Sequence, residues 1–157
     1  MASDLDEAFS HILNEIKPGK TEKEIALELE FFMKRQGAEA LSFDTIAASG
    51  KRSAMPHGVA TDKKIEEGDF LTLDFGCVFE GYCSDMTRTI VIGKASERQK
   101  EIYNTVLNAQ TSAIDVIHEG IPCSEVDNIA RSIINEAGYG DKFGHGLGHS
   151  VGIEIHE

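Results

Sequence analysis

The chain has 157 residues, with 15 basic and 27 acidic side chains and a formal net charge of −12. This length fits one domain, and an apolar fraction of 41% is enough for a hydrophobic core. The acidic balance argues against a nucleic-acid partner, and no apolar run approaches the roughly 20 residues that a membrane span needs. Because the chain has no signal-peptide pattern and no CxxC pair, we expect a cytoplasmic protein with reduced cysteines.

The first part of the chain is predicted to form two helices and a strand. Apolar residues recur at helical spacing from residue 5 to residue 16, and Gly19 follows them. The sequence Thr21-x-x-Glu24 is a capping box, which predicts that a second helix begins there and continues to Gly37. A strand is expected near Leu41–Ala48, followed by a loop.

The strongest strand signal is a hairpin over residues 70–79 and 82–92, with a two-residue turn between them. Strand alternation directs Asp74 away from the apolar face. The two-residue turn sets Asp85 opposite Gly76, so Asp85 would lie beside Asp74 on the same face, at a backbone separation of about 7–8 Å. Two such carboxylates could share cations. The alternative is that both are solvated on the wet face of an antiparallel sheet.

A second pair of helices is predicted after the hairpin. The capping box Ser96-x-x-Gln99 opens a long helix that is expected to end at Gly120. Its apolar residues are Ile102, Val106, Ala109, Ala113 and Val116. Another amphipathic helix is expected at about 124–137, followed by Gly138. The remainder, residues 144–157, is expected to form a glycine-rich strand or turn.

The two helical pairs form a weak internal repeat. An offset of 101 residues places Gly19 on Gly120 and Gly37 on Gly138. Any two amphipathic helical pairs look alike, but matched glycines at one offset favour a duplication. The counterpart of the hairpin would then end beyond residue 157, so we expect the chain to be a fragment of a longer protein.

Histidines supply the next chemical signal. His145 and His149 lie in the glycine-rich segment Gly144–His149, and His156 follows shortly after it. Glycine allows backbone and ligand to approach closely, and the spacing is not that of the helical H-E-x-x-H zinc site. A further candidate, His57, lies in Pro-His-Gly, for which a simple turn is the alternative interpretation.

Together these motifs resemble the pita-bread metallopeptidases, and among them most the aminopeptidase P and proline dipeptidase branch. The motifs that carry the resemblance cover nearly the whole chain in family order: Pro56-His57-Gly58, Leu73-Asp74-Phe75-Gly76, Ser84–Thr89, Gly144–His149 and His156-Glu157. The resemblance implies an α+β fold, with a curved antiparallel sheet, flanking helices and pseudo-twofold halves, the second of them incomplete. Residues 1–157 would then be one metallopeptidase catalytic domain, truncated at its C-terminus, and the resemblance leaves a preceding N-terminal domain open.

The resemblance also implies roles for individual residues. Asp74 would chelate one of two divalent metal ions, Asp85 would bridge both, and His149 would ligate one. His57 and His156 would contact the substrate and assist proton movement, and His145 would lie near the substrate pocket. Two further glutamate ligands are expected on later strands, outside this chain. Carboxylate-rich ligation suits Mn²⁺, with Co²⁺, Zn²⁺ and Fe²⁺ as alternatives.

The implied activity of the parent enzyme is metal-dependent hydrolysis of Xaa-Pro bonds in proline-containing peptides. The fragment alone is expected to be inactive and to form a homodimer through an unpaired sheet edge. The alternatives are a methionine aminopeptidase, a creatinase-like metal-free hydrolase and a non-catalytic binding module on the same fold. Within the resemblance, Pro56-His57-Gly58 together with His145-x-x-x-His149 favours the proline-directed branch. The retained Asp74, Asp85 and His149 argue against the metal-free and non-catalytic alternatives.

Overall fold

The computed structural model describes residues 2–157, with side chains from residue 5 onward. Its regular elements are α1 (Ala2–Glu15), α2 (Glu22–Arg35), β1 (Ala40–Leu41), β2 (Ile46–Ser49), β3 (Phe70–Phe75), β4 (Cys77–Phe79), β5 (Tyr82–Cys83), β6 (Met86–Val91), α3 (Glu97–Ile114) and α4 (Cys123–Glu136). The chain divides into two compact units. The first unit consists of Met1–Ala95 and Ser150–Glu157, and the second unit consists of Ser96–His149.

Both predicted capping boxes are confirmed. Thr21 accepts a hydrogen bond from the Glu24 N–H at 3.2 Å, and the Glu24 carboxylate accepts one from the Thr21 N–H at 2.7 Å. Ser96 and Gln99 make the same reciprocal pair at the start of α3. Two of the backbone donors at each helix start are thereby satisfied, which is why these starts could be predicted locally.

The first unit contains helices α1 and α2 and two three-stranded antiparallel sheets, with strand orders β1-β4-β5 and β2-β3-β6. The predicted single strand Leu41–Ala48 is therefore wrong. Its first residues pair with β4, while Ile46–Ser49 pair with β3, and the chain bends between them. Hydrophobicity alone could not predict this break, because it depends on which partner strand each half finds.

The register of the central hairpin is confirmed. Phe79 pairs with Tyr82, and Asp74 pairs with Thr87, as a two-residue turn requires. However, both predicted strands are interrupted, at Gly76 and at residues 84–85, and each contributes to both sheets. The two backbone segments approach closely at this interruption, because a Cβ at Gly76 would overlap the carbonyl of Ser84. Glycine is therefore required at this corner by steric contact.

One face of β3 belongs to the hydrophobic core and the other does not. Leu71, Leu73 and Phe75 are fully buried, while the intervening Thr72 and Asp74 are partly exposed. Helices α1 and α2 cover the buried face, and the core includes the following apolar residues from them: Leu5, Ala8, Ile12, Ile25, Ala26, Leu29 and Met33. The predicted alternation is confirmed, and it leaves Asp74 on the polar face.

The second unit is built on the packing of α3 against α4. We call its buried residues the α3–α4 cluster; they are Ala109, Ala113, Val126, Ala130 and Ile134. The predicted end of α3 is wrong, since the helix ends at Ile114 rather than at Gly120. Of its predicted apolar residues, Ala109 and Ala113 are buried, while Val106 is 54% exposed. The chain turns through residues 115–119 before α4, and α4 packs on the alanines of α3 instead of on Val106.

The internal repeat is visible in the helix bounds. The offset of 101 residues carries Glu22–Arg35 of α2 onto Cys123–Glu136 of α4. Gly37 and Gly138, which follow the two helices, both adopt a positive φ, of 106° and 82°. A left-handed residue after a helix is a common termination that glycine allows. The shared bounds and ends support the predicted duplication.

Residues 144–157 contain neither helix nor strand, so the predicted strand there is not formed and the turn alternative holds. Among residues 2–157, no helix combines the length and the apolar character needed to cross a membrane.

Candidate functional site

Asp74 lies on the polar face of β3 and is held by a partner across the sheet. The hydroxyl of Thr87 on β6 donates a hydrogen bond of 2.9 Å to its carboxylate. The next polar pair on this face, Thr72 and Thr89, also joins its hydroxyl groups, at 3.1 Å. Cross-strand polar pairs of this kind orient side chains on the sheet surface. The face therefore presents a carboxylate in one defined direction.

Asp85 lies at the corner of the hairpin, between β5 and β6, and is partly buried. The corner is fixed by Ser84, whose hydroxyl donates to the Cys77 carbonyl at 2.8 Å and accepts from the Cys77 N–H at 3.1 Å. The confirmed register sets Asp85 opposite Gly76. Because Asp85 lies outside the strands themselves, its placement on the same face as Asp74 stays a prediction.

His57 is exposed in a turn that is held by a hydrogen bond from Arg52. The Gly58 N–H donates to the Met55 carbonyl at 3.2 Å, which closes the turn. Arg52 donates to the carbonyl of Val59 at 2.7 Å, so the residues on either side of the histidine are tied together. The Pro-His-Gly motif is thus a turn, as its alternative interpretation proposed, and it presents His57 outward.

Arg52 is in turn held by Glu22, a fully buried carboxylate that was not predicted from the sequence. Its two oxygens accept hydrogen bonds from the backbone and hydroxyl groups of Ser49 and of Thr61, and from the Arg52 guanidinium at 3.1 Å. Burial raises the pKa of Glu22, but the hydrogen bonds from Thr61 and Ser49 outweigh it and leave the pKa below its ordinary value. The only local signal was an acidic residue in the first turn of a helix, which is common.

In the second unit, His145 and His149 are exposed in the segment that follows α4. The His145 ring donates through Nδ1 to the Gly146 carbonyl at 2.7 Å and meets the edge of the Phe143 ring, with centroids 5.2 Å apart. Two side chains of α4, Asp127 and Arg131, contact the backbone of this segment. The sequence analysis missed both.

His156 is exposed in the terminal segment, which belongs to the first unit. The Cys83 N–H donates to the Gly152 carbonyl at 2.7 Å and so fixes this segment beside β5. The Glu157 carboxylate accepts from the N–H groups of Ile153 and Glu154, at 2.8 and 3.2 Å. Glu157 therefore closes a local turn.

Comparison with known proteins decides the family. The sequence profile described as metallopeptidase family M24 matches residues 3–157. The chain belongs to metallopeptidase family M24. The predicted resemblance is thereby confirmed.

Similar M24 proteins have names that refer to proline. An Xaa-Pro dipeptidase of Pyrococcus horikoshii is 53% identical over 97% of this chain and 43% of its own length. The solved Xaa-Pro dipeptidase of Bacillus anthracis is 56% identical, with a TM-score of 0.97 over 99% of this chain and 44% of that one. An X-Pro aminopeptidase of Thermotoga maritima is 48% identical, with a TM-score of 0.94. The predicted fold class is confirmed, and the chain spans less than half the length of these relatives.

Membership of M24 implies divalent metal ions, so the donors must be tested against them. Asp74, Asp85 and His149 provide carboxylate oxygens and an imidazole nitrogen, which are ligands that Mn²⁺ and similar ions accept. The chemical types of these donor atoms therefore fit a divalent metal ion. Within residues 2–157, however, no group of three or more His, Cys, Asp or Glu side chains is arranged to hold a metal ion.

Proposed function

We propose that this M24 chain forms part of a two-metal peptidase that hydrolyses Xaa-Pro bonds. The observation that carries the proposal is the Asp74 carboxylate, held by Thr87 on the polar face of a hairpin with a confirmed register. The names of the relatives from Pyrococcus horikoshii and Bacillus anthracis, both Xaa-Pro dipeptidases, support the substrate class. The whole catalytic domain would extend beyond residues 1–157, since the relatives are more than twice as long.

In this proposal Asp74, Asp85 and His149 hold the two metal ions. Asp74 would bind one ion, Asp85 would contact both and His149 would bind one, with further ligands supplied from outside residues 1–157. When bound, the ions would lower the pKa of water and polarise the scissile carbonyl. A donor set rich in carboxylates favours Mn²⁺ over softer metals.

Three further histidines, His57, His145 and His156, would act on the peptide. His57 and His156 are exposed imidazoles, which can donate or accept a hydrogen bond or a proton near neutral pH. His57 would contact the substrate from a turn that Arg52 holds in place, and His145 would line the substrate pocket. All three cysteines of the chain are free thiols, which supports a reducing, cytoplasmic location.

The test is substrate preference in the whole protein. Purified protein is stripped with chelator, reloaded with Mn²⁺, and assayed on Xaa-Pro peptides and on Met-Ala peptides of equal length. We expect hydrolysis of the Xaa-Pro series that is lost on stripping and restored by metal. Preference for the Met-Ala series would instead identify a methionine aminopeptidase, and binding of peptides without hydrolysis would identify a binding module.

The bridging role has its own test, Asp85→Asn. An amide cannot bridge two cations as a carboxylate does, so we expect kcat/KM to fall by at least about 10²-fold. Asp62→Asn is the matched control, because Asp62 is an exposed aspartate whose ion pair with Lys23 lies on the surface. Equal activity of the two variants would exclude Asp85 as a bridging ligand.

A further inference from the structure

Asp127 and Arg131 lie one turn apart on α4 and form a two-point ion pair. Arg131 Nε donates to one carboxylate oxygen of Asp127 at 2.8 Å, and Nη2 donates to the other at 3.1 Å. The side chains of Arg131 and Asp127 are only 32% and 24% exposed. This pairing lowers the pKa of Asp127 and raises that of Arg131, so both remain charged over a wide pH range. An ordinary surface ion pair between successive helical turns makes no further contacts, whereas this pair has additional hydrogen-bond partners.

The pair also contacts the backbone of the histidine segment at three alternate residues. Arg131 donates to the carbonyls of Phe143 and His145, each at 2.9 Å. Asp127 accepts from the N–H of Leu147 at 2.8 Å. The guanidinium also lies over the Phe143 ring, 4.4 Å from its centroid. A planar guanidinium can make these contacts at once, whereas a lysine ammonium cannot match that geometry.

The side chains of the same segment are anchored on the same side. Phe143 and Leu147 pack against the α3–α4 cluster. The intervening glycines are free of such contacts: a Cβ at Gly144, Gly146 or Gly148 would meet no described atom within 4 Å. None of the three adopts a positive φ, so the backbone here does not need glycine for its conformation. The segment therefore has one face held by α4 and one open face.

We propose that Asp127 and Arg131 are positioning residues of the M24 site: they hold residues 143–147 and so set how His145 and His149 are presented. This proposal rests on the proposed metal-ligand role of His149. Neither residue is one of the proposed metal ligands, and their hydrogen bonds run to each other and to the backbone of residues 143–147. Their contribution is to order the segment before metal binds, which removes an ordering cost that binding would otherwise carry.

Arg131→Lys is the decisive variant, since it keeps the charge next to Asp127 but cannot reach both carbonyls. Arg98→Lys is the matched control. Arg98 also pairs with a carboxylate, Glu101, and lies 4.9 Å from the centroid of an aromatic ring, Tyr139, but these partners lie outside the histidine segment. Both variants therefore remove a guanidinium that pairs with a carboxylate and lies near an aromatic ring. Only Arg131→Lys also removes contacts with the histidine segment.

The first measurement is amide hydrogen exchange of the metal-free whole protein, read at residues 143–149. In Arg131→Lys we expect exchange of this segment to rise about tenfold, the effect of losing a charge-assisted hydrogen bond. Arg98→Lys should leave the segment unchanged. Equal exchange in the two variants would overturn the proposal.

The second measurement is Mn²⁺ titration of the whole protein by calorimetry. Arg131→Lys should weaken Mn²⁺ binding about tenfold or more, as loss of an outer contact to a ligand does, and should lower kcat more than it raises KM. Faster exchange with unchanged Mn²⁺ affinity would show a purely structural role and overturn the proposal. If the wild type binds Mn²⁺ but cleaves no Xaa-Pro peptide, the proposed function fails, while hydrogen exchange and Mn²⁺ affinity still decide the positioning role.

A double variant separates positioning from helix stability. Asp127→Arg combined with Arg131→Asp restores an ion pair on α4 but places a carboxylate opposite the two carbonyls. We expect thermal stability to recover and the fast exchange of residues 143–149 to persist. If thermal stability and slow exchange of residues 143–149 both recovered, the ion pair alone would account for the order of the segment, and the proposal would be overturned.

Discussion

The hydroxyl of Thr87 donates a 2.9 Å hydrogen bond to the carboxylate of Asp74, its direct partner across the β3–β6 ladder. This contact joins the paired strands β3 and β6 to one of the candidate metal ligands. Both residues sit at confirmed register positions, so the strand pairing itself aligns the donor with the acceptor. A candidate ligand on a strand is held more precisely than one on a loop.

The first prediction concerns this hydrogen bond. Thr87→Val removes the hydroxyl and keeps the branched shape, so the sheet should persist while Asp74 loses the hydrogen bond from Thr87. We expect Mn²⁺ affinity of the whole protein to fall about tenfold, as for other partners of ligand side chains. Thr87→Ser should restore it. Thr89→Val, which breaks the neighbouring Thr72 pair, is the control. Equal affinities in the two valine variants would contradict an orienting role.

The second prediction concerns Glu22 and pH. Its pKa in the folded chain lies below the ordinary value of 4.5, so its charge stabilises the fold above that pH. This contribution is lost as the pH falls through the lowered folded-state pKa. Glu22→Gln should cost about 3 kcal/mol at neutral pH, the order expected when a buried ion pair loses one partner.

The measurement is urea unfolding of wild type and Glu22→Gln at neutral pH and in steps into the acid range. The difference in free energy of unfolding should shrink as the pH falls. Amide exchange at residues 55–59 should also rise in the variant, because Glu22 holds Arg52 and Arg52 holds the His57 turn. Glu28→Gln on the same helix is the control, since Glu28 is partly exposed. A pH-independent difference would show that the charge of Glu22 does not contribute.

The third prediction concerns the corner of the hairpin. Gly76→Ala would direct a methyl group into the Ser84 carbonyl, and neither backbone can move without breaking the sheets. We expect a loss of about 2 kcal/mol or more in the free energy of unfolding. Gly144→Ala has open space around the added methyl group and should change stability by less than about 0.5 kcal/mol. Similar stability of the two variants in thermal unfolding would exclude a close crossing at Gly76.

The fourth prediction concerns residues 1–157 expressed alone. Because no group of three donors is assembled among the described residues, calorimetry with Mn²⁺ should show weak binding. Strand β6 lies at an edge of its sheet in the described part of the chain, and exposed edges pair with other chains. Light scattering should therefore find a dimer that dissociates on dilution. Tight binding of two ions would show a complete site, and a monomer at all concentrations would exclude edge pairing.

Several features of this fold are encoded over short stretches and were predictable from them. The capping boxes at Thr21 and Ser96 join residues three positions apart, so sequence spacing and contact coincide. The hairpin register follows from its two-residue turn, and the polar placement of Asp74 follows from strand alternation. The offset of 101 residues between α2 and α4 is likewise a property of the sequence, because it depends only on matched residue types at a constant spacing.

Tertiary structure decided what depends on distant partners. Glu22 is buried only because Ser49, Arg52 and Thr61 fold over it, 27 to 39 residues further along the chain. The break at Gly76 exists because two strands cross there and leave for different sheets.

The histidine motifs show the same division between sequence and structure. Together with the aspartate motifs of the hairpin, they carried the resemblance that indicated metallopeptidase chemistry, because the motifs and their order are properties of the sequence. The residues that hold the histidine segment could not be identified from the sequence. In the sequence, Asp127 and Arg131 form an ordinary helical ion pair, and only the structure shows that they bind the backbone at Phe143 and Leu147. Sequence by itself determined which groups could bind and react, since that depends on local chemistry. Only the tertiary structure decided what holds them, since that depends on contacts between residues far apart in the chain.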